Sequence, residues 1–155
     1  MNAIRNGLLA GFLATLAVTV LMMVKTASGQ FPELHVIRTL SSIIGMPGNV
    51  IVAFGIHIFI GTVVWGVAFA FVAPLLPGNS YLMKGLIFGI LAWLAMMTIF
   101  MPLAEAGFFA VHRGTMTVPF ITFIYHLVFG IVLGTVYSWN MPVTKYAKNE
   151  ASRNS

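Results

Sequence analysis

The sequence of 155 residues contains no cysteine and no aspartate. Without cysteine the chain forms no disulfide, binds no metal through a thiolate and has no cysteine nucleophile. Without aspartate it cannot complete a Ser-His-Asp triad, and it contains neither an H-E-x-x-H nor a Walker sequence. We therefore expect a protein that is not an enzyme, with a Glu–His pair from the loops as the alternative.

Charged residues are also scarce, at 7% against about 25% in soluble domains. Apolar residues make up 59%, against roughly 45–50%. So few charges cannot cover a surface that faces water, and the solvent of this chain must therefore be the lipid bilayer. The net charge of +5 is small in absolute count, and we interpret it as a topology signal rather than as a nucleic-acid-binding patch.

Four apolar runs reach the roughly 20 residues that a helix needs to cross a membrane, over about 7–24, 50–73, 83–104 and 118–139. Backbone groups in lipid have to be hydrogen-bonded within the segment, so these runs are predicted to be helices. The first run exceeds a signal-peptide core, and we expect it to remain as a span. The prediction is an all-α integral membrane four-helix bundle over residues 1–142, followed by a polar, basic cytoplasmic tail over 143–155.

The lysines and arginines predict the direction of the spans. With the N-terminus inside, the inner side holds five of them and the outer side holds three. By the positive-inside rule both termini then lie in the cytoplasm. The inner set is Arg5, Lys84, Lys145, Lys148 and Arg153, and the outer set is Lys25, Arg38 and Arg113.

The second half of the chain repeats features of the first. Residues 7–17 and 85–95 overlay with seven of eleven positions identical. The same order of Phe, His and Gly then recurs in two spans, as Phe54, His57 and Gly61 and as Phe123, His126 and Gly130. Each copy contains two spans, so we predict two tandem two-helix repeats, about 5–75 and about 83–140, related by a two-fold axis along the membrane normal.

Glycine pairs four residues apart occur in three of the four runs, as Gly7 and Gly11, Gly85 and Gly89, and Gly130 and Gly134. Gly61 and Gly66 are one residue off that spacing. Small residues one helical turn apart allow helix backbones to approach closely. The pairs predict either tight packing inside the bundle or a face for a homo-oligomer or a larger membrane complex.

The loop over about 25–49 contains a short amphipathic pattern. Pro32 can begin a helix, and Gly45 with Pro47 can end one. Between them apolar residues recur at helical spacing, opposite polar ones. We predict a short amphipathic helix that lies on the outer interface or caps the outer mouth of the bundle.

The G-L-L-A-G-F-L-A-T start, the F-P-E-L-H loop, the H-x-x-x-G second span and the L-P-G turn resemble a family of small four-helix bacterial membrane proteins. That family is a domain family of unknown function, and the resemblance covers most of residues 5–139. It implies a protein of the bacterial inner membrane, and it supplies no catalytic residues.

His57 and His126 are the clearly ionisable side chains deep in the spans. Counted at about 1.5 Å per residue, each lies on the order of 10–13 Å below the outer edge, so the two are at matching depth. Phe, His and Gly at positions i, i+3 and i+7 share one helix face. The candidate cofactor-binding residues are therefore His57, His126, Gly61, Gly130, Phe54 and Phe123.

Four interpretations of this pair stay open. Each imidazole can hydrogen-bond a neighbouring helix and serve packing alone. Both can ligate a b-type haem, with the glycines leaving room for the macrocycle. They can also titrate in a proton- or quinone-linked site. Finally, the whole chain can be an accessory or assembly subunit of a respiratory or transport complex.

A second set of candidate ligands lies in the predicted outer loops. Glu33 and His35 in the first loop, and Glu105 and His112 in the second, suit zinc or copper. Five methionines near the outer ends of the first and third spans add soft ligands for Cu(I): Met22, Met23, Met96, Met97 and Met101. The spacing of these residues matches no defined metal-binding motif.

Overall fold

The computed structural model describes residues 3–29, 36–113 and 116–139. Their regular structure consists mainly of five helices: α1 (Ala3–Ala27), α2 (Val36–Ile43), α3 (Val50–Val72), α4 (Tyr81–Leu103) and α5 (Thr117–Trp139). All of these except α2 are long and apolar enough to cross a membrane. The prediction of an all-helical membrane protein with four spans is confirmed. The predicted basic tail lies outside the described residues.

Two of the long helices begin at a side-chain cap. The Asn49 side chain accepts a hydrogen bond from the N–H of Val52 at 3.1 Å, and the Ser80 hydroxyl accepts one from the N–H of Met83 at 3.2 Å. Such caps satisfy an N–H group that the first turn of a helix leaves without a partner. These polar residues therefore set where α3 and α4 begin.

The long helices pack as two hairpins, α1 against α3 and α4 against α5, and α1 also lies along α5. Helices α3 and α4 meet through aromatic rings. Phe88 stands edge-on to Trp65 and Phe69, with ring centroids 5.8 and 5.3 Å apart, and Phe69 meets Tyr137 at 5.1 Å. Edge-to-face contacts of this kind are favourable for aromatic pairs. Three of these rings, Phe69, Phe88 and Tyr137, are buried and form part of the core.

Glycines bring the two helices of each hairpin into backbone contact. A Cβ atom at Gly11 would lie 2.7 Å from the carbonyl oxygen of Gly61 and 2.9 Å from the Cα atom of Gly66. In the second hairpin, a Cβ atom at Gly85 would strike the carbonyl oxygen of Gly130. Such close approach is what small residues contribute to helix packing in lipid. Because these glycines already pack against helices of the same chain, a partner protein would have to bind other faces of the bundle.

Helix α3 contains a π-helical segment over Ile60–Trp65. Hydrogen bonds between residues five apart replace the usual four in such a segment, so its turn holds one more residue. Gly61 and Gly66, five residues apart, both contact α1, the first at Thr15 and the second at Gly7. The π turn explains this contact, since five residues would not bring two positions onto one face of a regular α-helix.

Helix α4 contains a second π-helical segment over Met96–Phe100. The N–H of Met101 donates to the carbonyl oxygen of Met96 across this turn. Pro102 follows at once, and because proline has no N–H and crowds the preceding turn, it disturbs regular α-helical bonding here. Neither π segment is among the elements that the sequence analysis predicts.

Helix α2 matches the predicted short amphipathic helix. Ile37 is partly buried against the core, whereas Arg38 is exposed. The buried Ser41 hydroxyl donates to the Arg38 carbonyl oxygen at 2.7 Å and accepts from the N–H of Gly48 at 3.2 Å. Ser41 therefore ties α2 to the loop that leads into α3. The predicted helix start at Pro32 lies outside the described residues.

Candidate functional site

A cavity of about 150 Å³ lies between the four long helices, in the half of the bundle that α2 covers. His57 from α3 and His126 from α5 both line it. Helix α2 forms part of its wall through Thr39, Leu40 and Ile43. The fold thus brings two histidines that are 69 residues apart in the sequence to one space inside the bundle.

The imidazole of His126 is held in one orientation and one tautomer. Its Nδ1 atom lies 2.7 Å from the carbonyl oxygen of Thr122, one turn earlier in α5. Because a carbonyl oxygen can only accept, Nδ1 carries the proton, and in the neutral ring Nε2 then has a free lone pair. Gly89 packs directly on the His126 backbone. That contact fixes α5 against α4 at this level.

His57 contributes an unpaired polar atom. Its Nε2 atom is buried and has no hydrogen-bond partner. A buried polar group that is left unpaired costs roughly 1–3 kcal/mol, and such groups are rare in folded proteins. A ligand bound by the Nε2 atoms of His57 and His126 would give the His57 Nε2 atom a partner and remove this cost.

The two glycines predicted to border a cofactor have different surroundings. Gly61 lines the cavity, beside the side chain of Thr15. Gly130 instead packs against Gly85 and Gly89 of α4. Gly61 therefore borders the space next to the histidines, whereas Gly130 serves the contact between two helices.

The two predicted phenylalanines lie away from this cavity. Phe123 packs on Trp93 with ring centroids 5.0 Å apart. Phe54 lines a second cavity of about 440 Å³, whose described lining includes neither histidine. The space that both histidines share, at about 150 Å³, is smaller than the roughly 300–1,000 Å³ of pockets for drug-sized ligands. As it stands, it is too small for a macrocycle.

Several lining residues are absent from the sequence-based candidates. Tyr125 directly precedes His126, and Trp65 and Phe100 belong to the two π-helical segments. Both π segments thus border the cavity, and such segments occur often at functional sites. The five-residue spacing of Gly61 and Gly66 is the one sequence signal that points to a π turn here.

Three of the methionines predicted as soft ligands also line the cavity. They are Met22 from α1 and Met96 and Met101 from α4. The π-type backbone bond between Met96 and Met101 explains why two residues five apart reach one space. Met22 and Met101 are only 8% and 5% exposed, so their thioethers are enclosed by the bundle.

The predicted metal ligands of the loops are only partly described. Glu33 and His35 lie outside the described residues. In the second loop, His112 Nδ1 donates to the backbone carbonyl oxygen of Glu105 at 3.0 Å, and Glu105 itself has a left-handed φ of 56°. Within the described ranges, no group of three or more His, Cys, Asp or Glu side chains is arranged to hold a metal ion.

A family model with the description "Family of unknown function (DUF6789)" matches residues 1–147 of the chain. The match spans the five helices and both cavity histidines. No curated protein and no solved structure matches the sequence.

Proposed function

Because the chain belongs to this family of unknown function, DUF6789, we propose a function from the geometry of the cavity. The protein holds a metal centre between the imidazoles of His57 and His126, inside the bilayer. One observation carries the proposal. A buried His57 Nε2 atom without a partner and a His126 Nε2 atom with a free lone pair belong to rings that line the same cavity.

The hydrogen bond of His126 is of the kind that metal-binding histidines make. Such a histidine donates its other ring N–H to a carbonyl or carboxylate oxygen, which fixes the tautomer and the orientation of the ring. With Nδ1 bonded to Thr122, the Nε2 atom of His126 offers a lone pair that a metal ion can accept. The geometry of His126 therefore suits a metal ligand.

Haem b is the metal centre that the sequence predicts, with the two imidazoles as axial ligands. A cavity of about 150 Å³ suits a metal ion between two imidazoles, whereas a porphyrin would require the helices to move apart. Haem and a bare metal ion would be held in the same way, because in each the metal accepts the Nε2 lone pairs of His57 and His126. A Soret band distinguishes haem from a bare ion.

Metal binding by the full chain in mild detergent tests the proposal. We expect the wild-type protein to bind one metal centre, seen as a Soret band after haem supplementation or as stoichiometric metal after addition of Cu(I) or Zn(II). His57→Ala and His126→Ala should each abolish binding. His112→Ala, a change in the exposed loop, should bind as the wild type does. The proposal would be refuted if the chain bound none of these metals, or if its metal binding did not depend on His57 and His126.

We also propose that the four spans form two tandem repeats. The support comes from the glycine contacts, because the glycine pair of the first helix packs on the backbone of the second helix in each hairpin, Gly7 and Gly11 on α3 and Gly85 and Gly89 on α5. We further propose a bacterial inner membrane with both termini in the cytoplasm. The excess of lysine and arginine on the side away from α2 supports this orientation.

The absence of cysteine gives a direct test of the orientation. The single variants Ser42→Cys, in α2, and Asn79→Cys, in the loop between α3 and α4, place exposed thiols at the two ends of the bundle. In intact spheroplasts, a membrane-impermeant maleimide should label Ser42→Cys, and it should label Asn79→Cys only after lysis. The reverse labelling pattern would contradict the proposed orientation.

A homo-oligomer or an accessory role in a larger respiratory or transport complex is the remaining candidate. Large apolar side chains such as Phe59, Phe71 and Phe120 are exposed on the bundle, where the lipid bilayer is sufficient to cover them. Purification in mild detergent distinguishes the metal centre from the accessory role. Metal bound by the isolated chain supports the metal centre, whereas stable larger partners without bound metal support the accessory role.

A further inference from the structure

The donor atoms around the cavity are those that soft metal ions prefer. Besides the imidazoles of His57 and His126, the lining includes the thioethers of Met22, Met96 and Met101. Thioethers select Cu(I) and imidazole also suits copper, whereas magnesium, calcium and manganese prefer oxygen ligands. The described lining contains no carboxylate. Hard cations are therefore poorly matched to this space.

The charge of the ion distinguishes between the softer candidates. Neutral imidazoles and thioethers leave the charge of a bound ion uncompensated in apolar surroundings. The Born cost of burying that charge rises with its square, so it is about fourfold larger for a divalent ion than for a monovalent ion of the same size. Cu(I) is therefore favoured over Zn(II) and Cu(II).

The π turn of α4 supplies two of the sulfur atoms. Met96 and Met101 are five residues apart and would lie on different faces of a regular α-helix. The backbone hydrogen bond from Met101 to Met96 marks the wider turn that brings both to the cavity. A methionine side chain has three rotatable bonds, so its thioether can adjust its position to an ion.

We propose that the cavity binds one Cu(I) ion through the Nε2 atoms of His57 and His126 and at least one thioether among Met22, Met96 and Met101. This inference rests on the proposed function, and it names the metal. It also accounts for the size of the cavity, since a bare ion held by the lining side chains needs much less space than a macrocycle.

A competition titration tests the inference. The full chain, purified in detergent under a reductant, is titrated with Cu(I) against a chromogenic Cu(I) chelator. We expect one Cu(I) per chain, and an X-ray absorption spectrum with both nitrogen and sulfur in the first coordination shell. Outer-shell partners of metal ligands are worth about 10–100-fold in affinity, so losing direct ligands should weaken binding at least about tenfold.

The triple variant Met22→Leu, Met96→Leu, Met101→Leu removes the sulfur atoms and keeps the apolar volume. It should fold and bind Cu(I) at least about tenfold more weakly than the wild type. Met23→Leu and Met83→Leu are the matched controls, because these side chains are 60% and 53% exposed, and they should bind as the wild type does. Unchanged binding in the triple variant, or a first shell without sulfur, would overturn the inference.

The outcomes also separate the inference from the proposed function. A chain that loses Cu(I) to the chelator but shows a Soret band or zinc binding that depends on His57 and His126 would contradict the Cu(I) assignment alone. No binding of any metal that depends on the two histidines would contradict both. Cu(I) binding that depends on the histidines and the methionines supports both.

Discussion

Gly85→Ala is expected to separate α4 from α5 and to destabilise the second hairpin. The new Cβ atom would strike the carbonyl oxygen of Gly130 and lie 2.8 Å from the Cα atom of Gly134. Backbone atoms of a packed helix cannot rotate away as a side chain can. Overpacking costs typically about 1–3 kcal/mol, and we expect the upper end or more here. That cost exceeds the gain of up to about 1 kcal/mol that alanine brings through helix propensity.

Gly55→Ala is the matched control, because a Cβ atom built at Gly55 has no atom within 4 Å apart from its chain neighbours and the backbone of its own helix. This variant gains the helix propensity of alanine without a clash, so its free energy of unfolding should stay the same or rise by up to about 1 kcal/mol. Titration with SDS in mixed micelles, followed by circular dichroism, measures both variants. Equal stability of Gly85→Ala and Gly55→Ala would contradict the backbone contact between α4 and α5.

Deletion of Val64 should leave the bundle folded, whereas deletion of Ile131 should unfold it. Val64 lies in the π segment of α3, whose turn holds one residue more than an α-helical turn. Its removal permits regular α-helical bonding and leaves Gly61 and Gly66 four residues apart on one face. Ile131 lies in the regular helix α5, so its removal rotates all following residues by about 100°.

Both deleted side chains are partly exposed, at 46% and 43%, so the direct loss of packing is similar. The rotation in α5 would move Leu133, Val136 and Tyr137 out of the core, where they are almost fully buried. We expect the Val64 deletion to change the free energy of unfolding by about 1 kcal/mol or less, within the range of volume-conserving core changes. SDS titration and size-exclusion chromatography measure the stability and folding of both deletion variants. Equal destabilisation would show that the turn at Val64 does not hold one residue more than an α-helical turn.

Hydropathy alone locates the spans because a bilayer imposes one length on every helix that crosses it. The predicted runs 50–73, 83–104 and 118–139 agree within two residues at each end with Val50–Val72, Tyr81–Leu103 and Thr117–Trp139. The short helix α2 was also predictable, since its apolar residues recur with helical spacing between turn-forming residues.

The surroundings of the histidines were less predictable. Sequence position gives the depth of a side chain along a helix, but not the rotation of that helix against its neighbours. Phe123 shares a sequence pattern with His126, yet it turns toward Trp93, because the glycines draw α4 closely against α5. Gly130 borders that same helix contact and not the cavity. The matching motifs therefore indicate equal depth without indicating equal surroundings.

The sequence analysis predicts neither π segment, although the five-residue spacing of Gly61 and Gly66 is a signal for the one in α3. Periodicity is read with 3.6 residues per turn, and a single wider turn shifts every later position on the helix face. At 3.6 residues per turn, Met96 and Met101 would therefore lie on different faces of α4, although both line one cavity. Pro102 is a local cause for the turn in α4, but proline alone does not specify a π turn rather than a kink.

Nitrogen NMR of the histidine side chains tests most directly whether His57 and His126 form one metal-binding pair. In protein labelled with ¹⁵N-histidine, we expect a protonated Nδ1 and an unprotonated Nε2 for His126. One equivalent of Cu(I) should shift the Nε2 resonances of His57 and His126 together and leave His112 unchanged. A protonated Nε2 at His126, or a shift at only one of the two cavity histidines, would contradict a shared metal site.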